Sequence, residues 1–372
     1  MKYKLKDLGI VSTGNTPSKS NEAFYDSEDI AFVKPDILSD CRVTEKIVTM
    51  EYISENARNK ARIVDNGAVF VTCIGSIGKI GLADMEFAFN QQINAIQPND
   101  KVNSKYLAYC MLYNKKKLQL IANAPVVPII NKSQFEEFEV EIEEDINEQK
   151  KIVKILDKVN YVIASREKEL EELDTLIKSR FVEMMNQYKS NNPLSDYITV
   201  FKAERCGERD IPVLSITKED GIVLQSEKFK KRIASVDAST YKVVPKGKLV
   251  QGIHIDERNF AIQNIVDVGI VSPAYKIWNV DETKAIPEVL AFAMRTDRTM
   301  AYISSKFTGT VKRRESISMA DFMLTPIDLP DIGIQSEFYE FMNQVNKLKS
   351  EVQKSLNETQ ILFDSLMQEY FG

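Results

Sequence analysis

Few residues in this chain are spaced as catalytic groups are. His254 is the only histidine among the 372 residues, and the segment around it, QGIHIDERN, predicts a strand followed by a turn. A general base needs a nucleophile or a substrate proton within hydrogen-bond reach, and no serine or cysteine is placed beside His254 by a recognisable spacing. We therefore expect His254 to be structural or to contact a ligand, and not to act as a base.

A glycine-rich segment, IGSIGKIG, runs from Ile74 to Gly81. It lacks the GxxxxGK followed by Ser or Thr of a phosphate-binding P-loop, and it lacks the first close glycine pair of a dinucleotide-binding turn. Two interpretations stay open. The segment is either a tight loop whose amide groups meet a phosphate or a base edge, or an ordinary β-turn.

Three other patterns also fall short of an active site. VSPAY, which ends at Tyr275, superficially resembles the Asp/Asn-Pro-Pro-Tyr motif of amino-methyltransferases, but Ser272 is a poor acceptor for the target amine. Asp36 and the Glu148–Lys150 cluster could be combined into a nuclease carboxylate–lysine set, yet capping of a helix start explains the second cluster better. The four cysteines fit neither a metal site nor a disulfide framework. We expect no catalytic residue, no metal and no cofactor in this chain.

The remaining polar and basic segments are of the types that contact nucleic acid. Lys312, Arg313 and Arg314 follow the turn FTGT. Arginine reads guanine edges bidentately, Lys and Arg neutralise phosphates, and Asn and Gln suit adenine. A solvated face is an equal alternative for this run, and it is the better one for FKKR at Phe229. The candidate contacts are Asn15, Thr16, Ser18, Lys19, Lys34, Ser76, Lys79, Asn90, Gln91, Gln92, His254, Arg258, Tyr275, Lys312, Arg313 and Arg314.

Composition limits the class of protein. The formal net charge is −5, from 49 basic and 54 acidic residues, which argues against a histone-like protein but allows a local basic surface. No apolar run of about 18 residues predicts a membrane-spanning helix, and MKYKLKDLGI lacks the apolar core of a signal peptide. The scattered cysteines suit a reducing compartment. We expect a cytoplasmic protein that does not enter a membrane.

Two long segments without Pro or Gly predict the elements that position these residues. They run from Glu148 to Met185 and from Ser336 to Phe371. In each, eight of ten positions of a 3,4 heptad pattern are apolar, which is typical of a coiled-coil seam. The two patterns coincide at a shift of 186 residues, half of 372. We therefore interpret them as a repeat, and not as two unrelated amphipathic helices.

The segments between the helices resemble each other more loosely. YLAYCML at Tyr106 matches VLAFAMR at Val289. Short runs rich in Val and Ile and bounded by Gly, Pro or Asn predict strands. Each segment also has one short helical run, near Tyr106 to Leu120 or Pro287 to Tyr302. Each is therefore expected to be an α+β domain.

The order globule, helix, globule, helix favours antiparallel pairing of the helices. The second globule joins the end of one helix to the start of the next, and a parallel pair would force it to bridge a helix of roughly 50 Å. We predict an α+β protein of two similar globular domains separated by two long antiparallel coiled-coil helices, a pseudo-twofold internal repeat. The expected domains are 1–146 and 189–332, and the expected spacer helices are 147–188 and 333–372. The expected seam residues are Leu156, Ile163, Leu170, Ile177, Met342, Val345, Val352 and Leu366.

Motifs spread over the chain resemble the specificity subunit of type I restriction–modification systems. In the first half they are GNTPS at Gly14, VTCIGSIGKIGLA at Val71, FNQQINAIQP at Phe89 and IEEDINEQKKIVKILD at Ile142. In the second half they are YKVVPKGKLV at Tyr241, VDVGIVSPAYKI at Val266 and GTVKRRESI at Gly309. The second half reads QGIHIDERNFAI where the first reads VTCIGSIGKIGLA, so the two domains should read different half-sites.

The resemblance implies a DNA-binding adaptor that has no activity of its own. Two target-recognition domains would each contact one half of a split asymmetric site on double-stranded DNA in the major groove, and the helices would set the gap. Two modification subunits with adenine-N6 methyltransferase activity would dock on the helices and domains, and a translocating restriction subunit would join them. The methyl donor and ATP would belong to these partners.

Other functions stay open at this point. An enzyme would require a fused methyltransferase. A scaffold would bind only proteins through its coiled coil, and a different DNA-binding adaptor would recognise a site that is not split. Transfer of a labelled methyl group and the shape of a DNA footprint separate these cases.

Overall fold

The chain folds into two compact units. The computed structural model describes residues 1–122, 127–185, 188, 191–217, 221–228, 238–253, 255–307 and 317–372. Unit 1 contains Met1–Lys168 and Gln353–Gly372, and unit 2 contains Glu169–Val352. Each unit thus combines a globular head with segments of both long helices. Among the described residues, no helix has the length and apolar character needed to cross a membrane.

The head of unit 1 combines short strands with short helices. Its strands are β1 (Lys2–Lys4), β2 (Gly9–Thr13), β3 (Ile30–Val33), β4 (Tyr52–Ile53), β5 (Ile63–Val64), β6 (Val69–Thr72), β7 (Ile80–Leu82), β8 (Phe87–Phe89), β9 (Ile93–Pro98) and β10 (Glu139–Glu141). Its α-helices are α1 (Leu5–Leu8), α2 (Ser104–Tyr113), α3 (Lys115–Ile121) and α4 (Lys132–Glu136). One antiparallel sheet has the order β2-β9-β6-β7. A second has the order β4-β3-β8-β5, in which β3 and β8 are parallel, and β1 pairs with β10.

The head of unit 2 also combines short strands with short helices. Its strands are β11 (Asn192–Pro193), β12 (Ile198–Val200), β13 (Leu214–Thr217), β14 (Gly221–Leu224), β15 (Lys242–Pro245), β16 (Leu249–Gln251), β17 (Phe260–Ile262), β18 (Val268–Val271), β19 (Lys276–Val280) and β20 (Pro326–Ile327). Its α-helices are α6 (Gln225–Lys228), α7 (Pro287–Met294), α8 (Asp297–Ser305) and α9 (Met319–Met323). A four-stranded antiparallel sheet has the order β12-β19-β16-β17. The pairs β11–β20, β13–β14 and β15–β18 are separate.

The two four-stranded antiparallel sheets correspond strand by strand. In each, the first strand pairs with the last, and the two middle strands form a hairpin beside it. Val69 of β6 lies opposite Ile96, and Leu249 of β16 lies opposite Trp278. All four side chains are buried, because residues on the inner face of such a sheet share the core with the covering helices. The sheet that carries the middle hairpin is therefore the repeated part of each head.

The prediction of one helical run per head is wrong, because each run is broken into two helices. In unit 1 the break falls at Asn114, whose amide donates to the carbonyl oxygen of Cys110 at 2.9 Å. In unit 2 it falls at Thr296, whose hydroxyl accepts from Thr299 N at 3.4 Å and caps α8. Short polar side chains compete with the helical backbone in this way and favour a helix end.

The long helices are α5 (Ile146–Met185) and α10 (Ile332–Phe371). In unit 1 the first half of α5, with Leu156 and Ile163, shares an apolar cluster with Phe363 near the end of α10. In unit 2 the second half of α5, with Ile177, shares a cluster with Phe338 near the start of α10. The helices are therefore antiparallel in both units. The predicted α+β fold with two long paired helices is confirmed.

The expected seam residues are mostly inaccessible. Leu156, Ile163, Ile177, Met342, Val345 and Val352 are buried, and Leu170 and Leu366 are half-buried. One polar position is satisfied at the edge of the seam, where Lys349 Nζ lies 2.5 Å from Asp174 Oδ1. The predicted domain limits at 146, 188 and 332 stay a prediction.

A polar network attaches the head of unit 1 to α5. The Tyr109 hydroxyl of α2 donates to Asp157 Oδ1 at 2.7 Å and accepts from Asn160 Nδ2 at 2.9 Å. Lys105 Nζ lies 2.8 Å from Asp157 and 2.6 Å from Glu45. Burial is the largest cause that raises the pKa of Tyr109. The phenol therefore stays protonated and remains a hydrogen-bond donor at neutral pH.

An aromatic cluster makes the corresponding attachment in unit 2. Phe292 of α7 occupies the position that Tyr109 has in the matched segment. Its ring centroid lies 4.8 Å from that of Phe181 in α5 and 5.5 Å from that of Phe338 in α10. Tilted and edge-on ring pairs at such distances are favourable beyond the area they bury. The Tyr109 ring also packs against Phe363 of α10 at a centroid distance of 6.3 Å. Unit 1 thus adds charge and hydrogen bonds to the ring packing that both units share.

Loss of a buried seam leucine should destabilise the protein. Leu156 is fully buried, so Leu156→Ala should lower the free energy of unfolding by about 2–5 kcal/mol, since it leaves a cavity. Urea unfolding followed by circular dichroism measures the change. Leu362→Ala is the matched control, because Leu362 lies on the same helical pair with 51% of its surface exposed. Equal losses in the two variants would contradict the seam assignment.

Candidate nucleic-acid interface

Three loops of unit 1 meet: the segment after β2, the loop between β8 and β9, and the loop between β6 and β7. Asn15 N donates to Phe89 O at 3.0 Å, and Thr16 Oγ1 donates to Gln91 Oε1 at 2.8 Å. In the next loop Asn90 Nδ2 donates to Gln92 Oε1 at 3.0 Å. The predicted contact residues of the GNTPS and FNQQ motifs are therefore brought together. We call Asn15, Thr16, Asn90, Gln91 and Gln92 the amide cluster.

Gly14 permits this close approach. A Cβ atom at Gly14 would lie 2.1 Å from the Asn90 carbonyl oxygen and 2.5 Å from that of Phe89. Such contacts are far inside van der Waals distance, so only glycine fits where the backbones come this close. Within the cluster Asn90 is buried, Asn15 and Gln92 are half-buried, and Thr16 and Gln91 are exposed. The exposed pair is the part of the cluster that can meet a ligand.

The glycine-rich segment forms the loop between β6 and β7. Gly75 and Gly78 have φ of 75° and 83°, a left-handed conformation that glycine adopts without strain. The Thr72 hydroxyl donates to Ser76 O and accepts from Lys79 N at 3.0 Å. Cys73 N donates to Gln92 O at 2.7 Å, which joins this loop to the amide cluster. Ser76 is exposed at the tip.

The basic residues predicted in unit 1 differ in availability. Lys79 Nζ donates to Pro35 O at 3.1 Å, and Lys34 forms an ion pair with Glu51. Both ammonium groups thus hold neighbouring segments in place. Ser18 and Lys19 are exposed, and the Ser18 hydroxyl lies 2.8 Å from that of Ser20. Lys19 is consequently better placed than Lys34 or Lys79 to approach a phosphate.

Unit 2 places Arg258 in the loop between β16 and β17, where unit 1 has its glycine-rich loop. Arg258 has a φ of 61°. Its guanidinium donates to Arg295 O at 2.9 Å and pairs with Asp297. These bonds tie the loop to the start of α8, so the side chain holds the loop.

Tyr275 lies after the turn that joins β18 to β19. Its amide donates to Ser272 O at 3.0 Å, its carbonyl accepts from Lys242 Nζ at 2.7 Å, and burial raises the pKa of its phenol. Within the described part of unit 2, Tyr275 and Arg258 are not joined by a hydrogen bond. His254, Lys312, Arg313 and Arg314 lie outside the described residues, and all the predicted contacts stay a prediction.

Two further lysines, Lys115 and Lys242, lie near the candidate loops. The Lys115 side chain of α3 packs against Gly78, where a Cβ atom would lie 2.6 Å from its Cγ, and its Nζ lies 2.8 Å from Asp40 Oδ1. The run of lysines at 115–117 was a signal that could have indicated it. In unit 2 the pKa of Lys242 is lowered by burial and by nearby Lys276. Lys242 and Lys276 are far apart in the sequence, so no local pattern marks this pair.

The surroundings of the amide cluster do not favour nucleophilic chemistry. Burial raises the pKa of the Cys73 thiol to about 12, and the same cause acts on Cys110. A thiol in that state holds its proton at neutral pH, and the thiolate is the reactive form. Across the described ranges, no group of three or more His, Cys, Asp or Glu side chains is arranged to hold a metal ion. The site offers hydrogen-bond donors and acceptors for recognition.

The sequence has relatives among restriction–modification proteins. Residues 1–175 match the family model described as the type I restriction modification DNA specificity domain. Over 104 residues the chain is 33% identical to the type I restriction enzyme HindI specificity subunit of Haemophilus influenzae. That match covers 28% of this chain and 22% of the relative. The matched part therefore spans about a fifth of the length of that protein.

Solved structures share the fold over the whole chain. The type I restriction–modification S subunit from M. genitalium superposes with a TM-score of 0.57 and 12% identity, covering 100% of this chain and 96% of that one. A chain from a study of complex assembly and conformational transition of the type I R-M system gives 0.58 and 11%, with 100% and 97% coverage. At these identities the comparison establishes the fold.

The fold is thus that of type I specificity subunits. Residues 1–175 match the family model for type I restriction modification DNA specificity domains, and the fold over the whole chain is shared with type I S subunits of known structure. The resemblance that the motifs indicate is confirmed. The family match includes the loops that form the amide cluster.

Cysteine accessibility tests the closed packing beside the amide cluster. Cys41 is exposed, whereas Cys73, Cys110 and Cys206 are buried. Alkylation of the native protein at about pH 8 should label Cys41 first, because accessible thiols react and buried ones do not. Peptide mass mapping should then find all four cysteines labelled once urea has unfolded the chain. Rapid labelling of native Cys73 would contradict the packing of the β6–β7 loop.

Proposed function

We propose that this chain is the non-catalytic DNA-binding subunit of a type I restriction–modification complex. Each head reads one half of a bipartite asymmetric site, and the long helices set the gap between the halves. One observation carries the proposal. Each head has its own four-stranded sheet with the same strand order, and each presents a loop between the two middle strands of that sheet. The two loops differ in sequence, so one architecture carries two recognition surfaces.

The amide cluster supports base reading by the first head. Asn and Gln side chains can bond adenine bidentately through its N6 and N7 atoms in the major groove. Gln91 is exposed and its Oε1 already accepts from Thr16, so the amide is held in one orientation before DNA arrives. Preorganisation of this kind reduces the entropy lost on binding. The basic partners would be Lys19 in this head and Lys312, Arg313 and Arg314 in the second.

Two heads are needed because one head makes too few contacts. A good bidentate pair contributes about 1–3 kcal/mol of discrimination against a wrong base. A second head on the same chain turns the second binding step into an intramolecular one. A spacer of fixed length also rejects half-sites at the wrong separation and helical phase. The proposed split site follows from this energetic requirement.

The paired helices offer a surface for the methyltransferase partners. With the seam residues lettered a and d, the e positions face the heads, since Asn160 contacts Tyr109 and Phe181 contacts Phe292. In an antiparallel pair the g positions lie along the opposite flank. Some of these positions hold apolar residues exposed by 39–51%: Ile155, Val162 and Leu362 in unit 1, and Leu176 and Leu348 in unit 2. Exposed apolar stripes of this kind favour protein contacts.

The chemistry of the complex would reside in its partners. Two modification subunits would bind the methyl donor and transfer the methyl group to adenine N6, with the target base flipped out of the duplex. A restriction subunit would bind ATP and translocate DNA. This chain would contribute recognition and spacing, and no cofactor of its own.

A protein scaffold is the second candidate. The apolar g flank favours it, because that surface fits a protein whether or not the heads bind DNA. A DNA-binding adaptor with an unsplit site is the remaining alternative. The three differ in what they do to DNA.

Selection from a random duplex pool, followed by footprinting, tests the proposed function. The full chain should enrich two short specific blocks separated by a fixed unspecific gap. Incubation with DNA and labelled methyl donor should leave the DNA unlabelled until modification subunits are added. One continuous protected block, no protection, or methyl transfer by the chain alone would each contradict the proposal.

Removal of one reading amide should relax one half-site. Gln91→Ala should reduce discrimination at one base pair by about 1–3 kcal/mol while leaving the other half-site unchanged. Arg313→Ala with Arg314→Ala should act on the other half-site. Titration of single-base variants of the selected target gives the values. Gln353→Ala is the control, since Gln353 is an exposed helix residue whose amide contacts Asn357. If Q91A keeps the selectivity of the wild-type chain, Gln91 is not part of the interface.

A further inference from the structure

A fully buried glutamine stands at the start of α5. Gln149 has no exposed surface. Its Oε1 accepts from Asn103 N at 2.7 Å, and its Nε2 donates to Glu143 O at 2.7 Å and to Lys101 O at 3.1 Å. One amide therefore joins three segments: the chain before α2, the link from β10 to α5, and the first turns of α5 itself.

The second head repeats this arrangement with different neighbours. Gln335, also without exposed surface, lies in α10 at the position 186 residues after Gln149. Its Oε1 accepts from Ile286 N at 2.9 Å, and its Nε2 donates to Lys284 O at 2.9 Å and to Pro330 O at 2.8 Å. Asn103 and Ile286 are the residues that precede α2 and α7. The two contacts are thus equivalent in every bond.

The chemistry of these contacts requires an amide. The three partners are one N–H and two carbonyl groups, and a primary amide supplies one acceptor and two donors in a plane. Glutamate lacks the donors, and an aliphatic side chain satisfies none of the three backbone groups. Apolar packing alone would hold head and helix together but is not directional, whereas hydrogen bonds weaken steeply when their angle changes. The amide therefore fixes an orientation.

We propose that Gln149 and Gln335 are positioning residues for DNA recognition. Each amide locks the orientation of α2 or α7 on the helix that carries its head, and the two together determine which gap between half-sites the protein accepts. The proposal rests on the function proposed above. It assigns the choice of gap to the joints between heads and helices as well as to the length of the helices.

The variants Gln149→Glu and Gln335→Glu test the proposal in the full chain. At neutral pH each places a carboxylate oxygen against two carbonyl oxygens, so the joint should loosen. Targets are the selected site and copies with one base pair more or fewer between the halves. The preference for the best gap should fall by about tenfold or more in each variant, whereas reading of each half-site should be retained.

A matched variant separates positioning from stability. Gln263 is equally buried, and its amide donates to Val266 O at 2.7 Å and accepts from Ile265 N at 2.8 Å, both within the second head. Gln263→Glu should lower the free energy of unfolding but keep the gap preference. If Q149E or Q335E fails to fold, Gln149→Met and Gln335→Met preserve the volume and remove the directed bonds.

Each outcome has a distinct meaning. Faster hydrogen exchange at Asn103 N or Ile286 N, together with a weaker preference for the best gap length, supports the proposal. An unchanged gap preference in folded variants, or an equal loss of that preference in Q263E, overturns it. If the wild-type chain prefers no gap at all, the proposed function itself fails, and that result is read before any variant is compared.

Discussion

The structure depends on burial of the apolar stripes of α5 and α10. An isolated amphipathic helix cannot bury its stripe and is marginal in water. In unit 1 the stripe that contains Leu156 and Ile163 is covered by residues from 353–372, and in unit 2 the stripe around Ile177 is covered by the start of α10. Each unit therefore contains one segment of α5 and one of α10, and these two segments are far apart in the sequence.

Within the heads, the polar residues divide into those that bond other protein groups and those that stay exposed. Lys34, Lys79 and Arg258 use their charged groups on neighbouring protein atoms, and Asn90 is buried within its loop. Thr16, Ser76 and Gln91 remain exposed on the frame that these contacts keep in shape. A surface built this way can change its exposed residues with little effect on its support, because the supporting bonds are made elsewhere.

The sequence predicted the parts of this fold that leave a regular spacing of apolar residues. The heptad pattern indicated both long helices and their pairing, since an apolar stripe must meet another. The match between the segments at Tyr106 and Val289 indicated the repeated heads. The breaks at Asn114 and Thr296 were missed, because helix capping by one side chain competes closely with helix continuation.

The candidate site was predictable only in part, for a physical reason. Asn, Gln and Gly in the loops marked the amide cluster by residue type. The contacts of Gln149 and Gln335 could not be predicted, because two of the three backbone partners of each amide lie more than forty residues away in the sequence. Backbone acceptors leave no trace in residue identity, so such contacts appear only in three dimensions.

The two head attachments should respond differently to dissolved salt. Dissolved ions screen the charged pairs around Asp157 and Lys105, whereas the rings around Phe292 are almost indifferent to ions. Cold weakens apolar association, and both attachments contain it, with Phe292 on Phe181 and Phe338 in unit 2 and Tyr109 on Phe363 in unit 1. A rise in ionic strength should therefore loosen one of two equivalent attachments before the other.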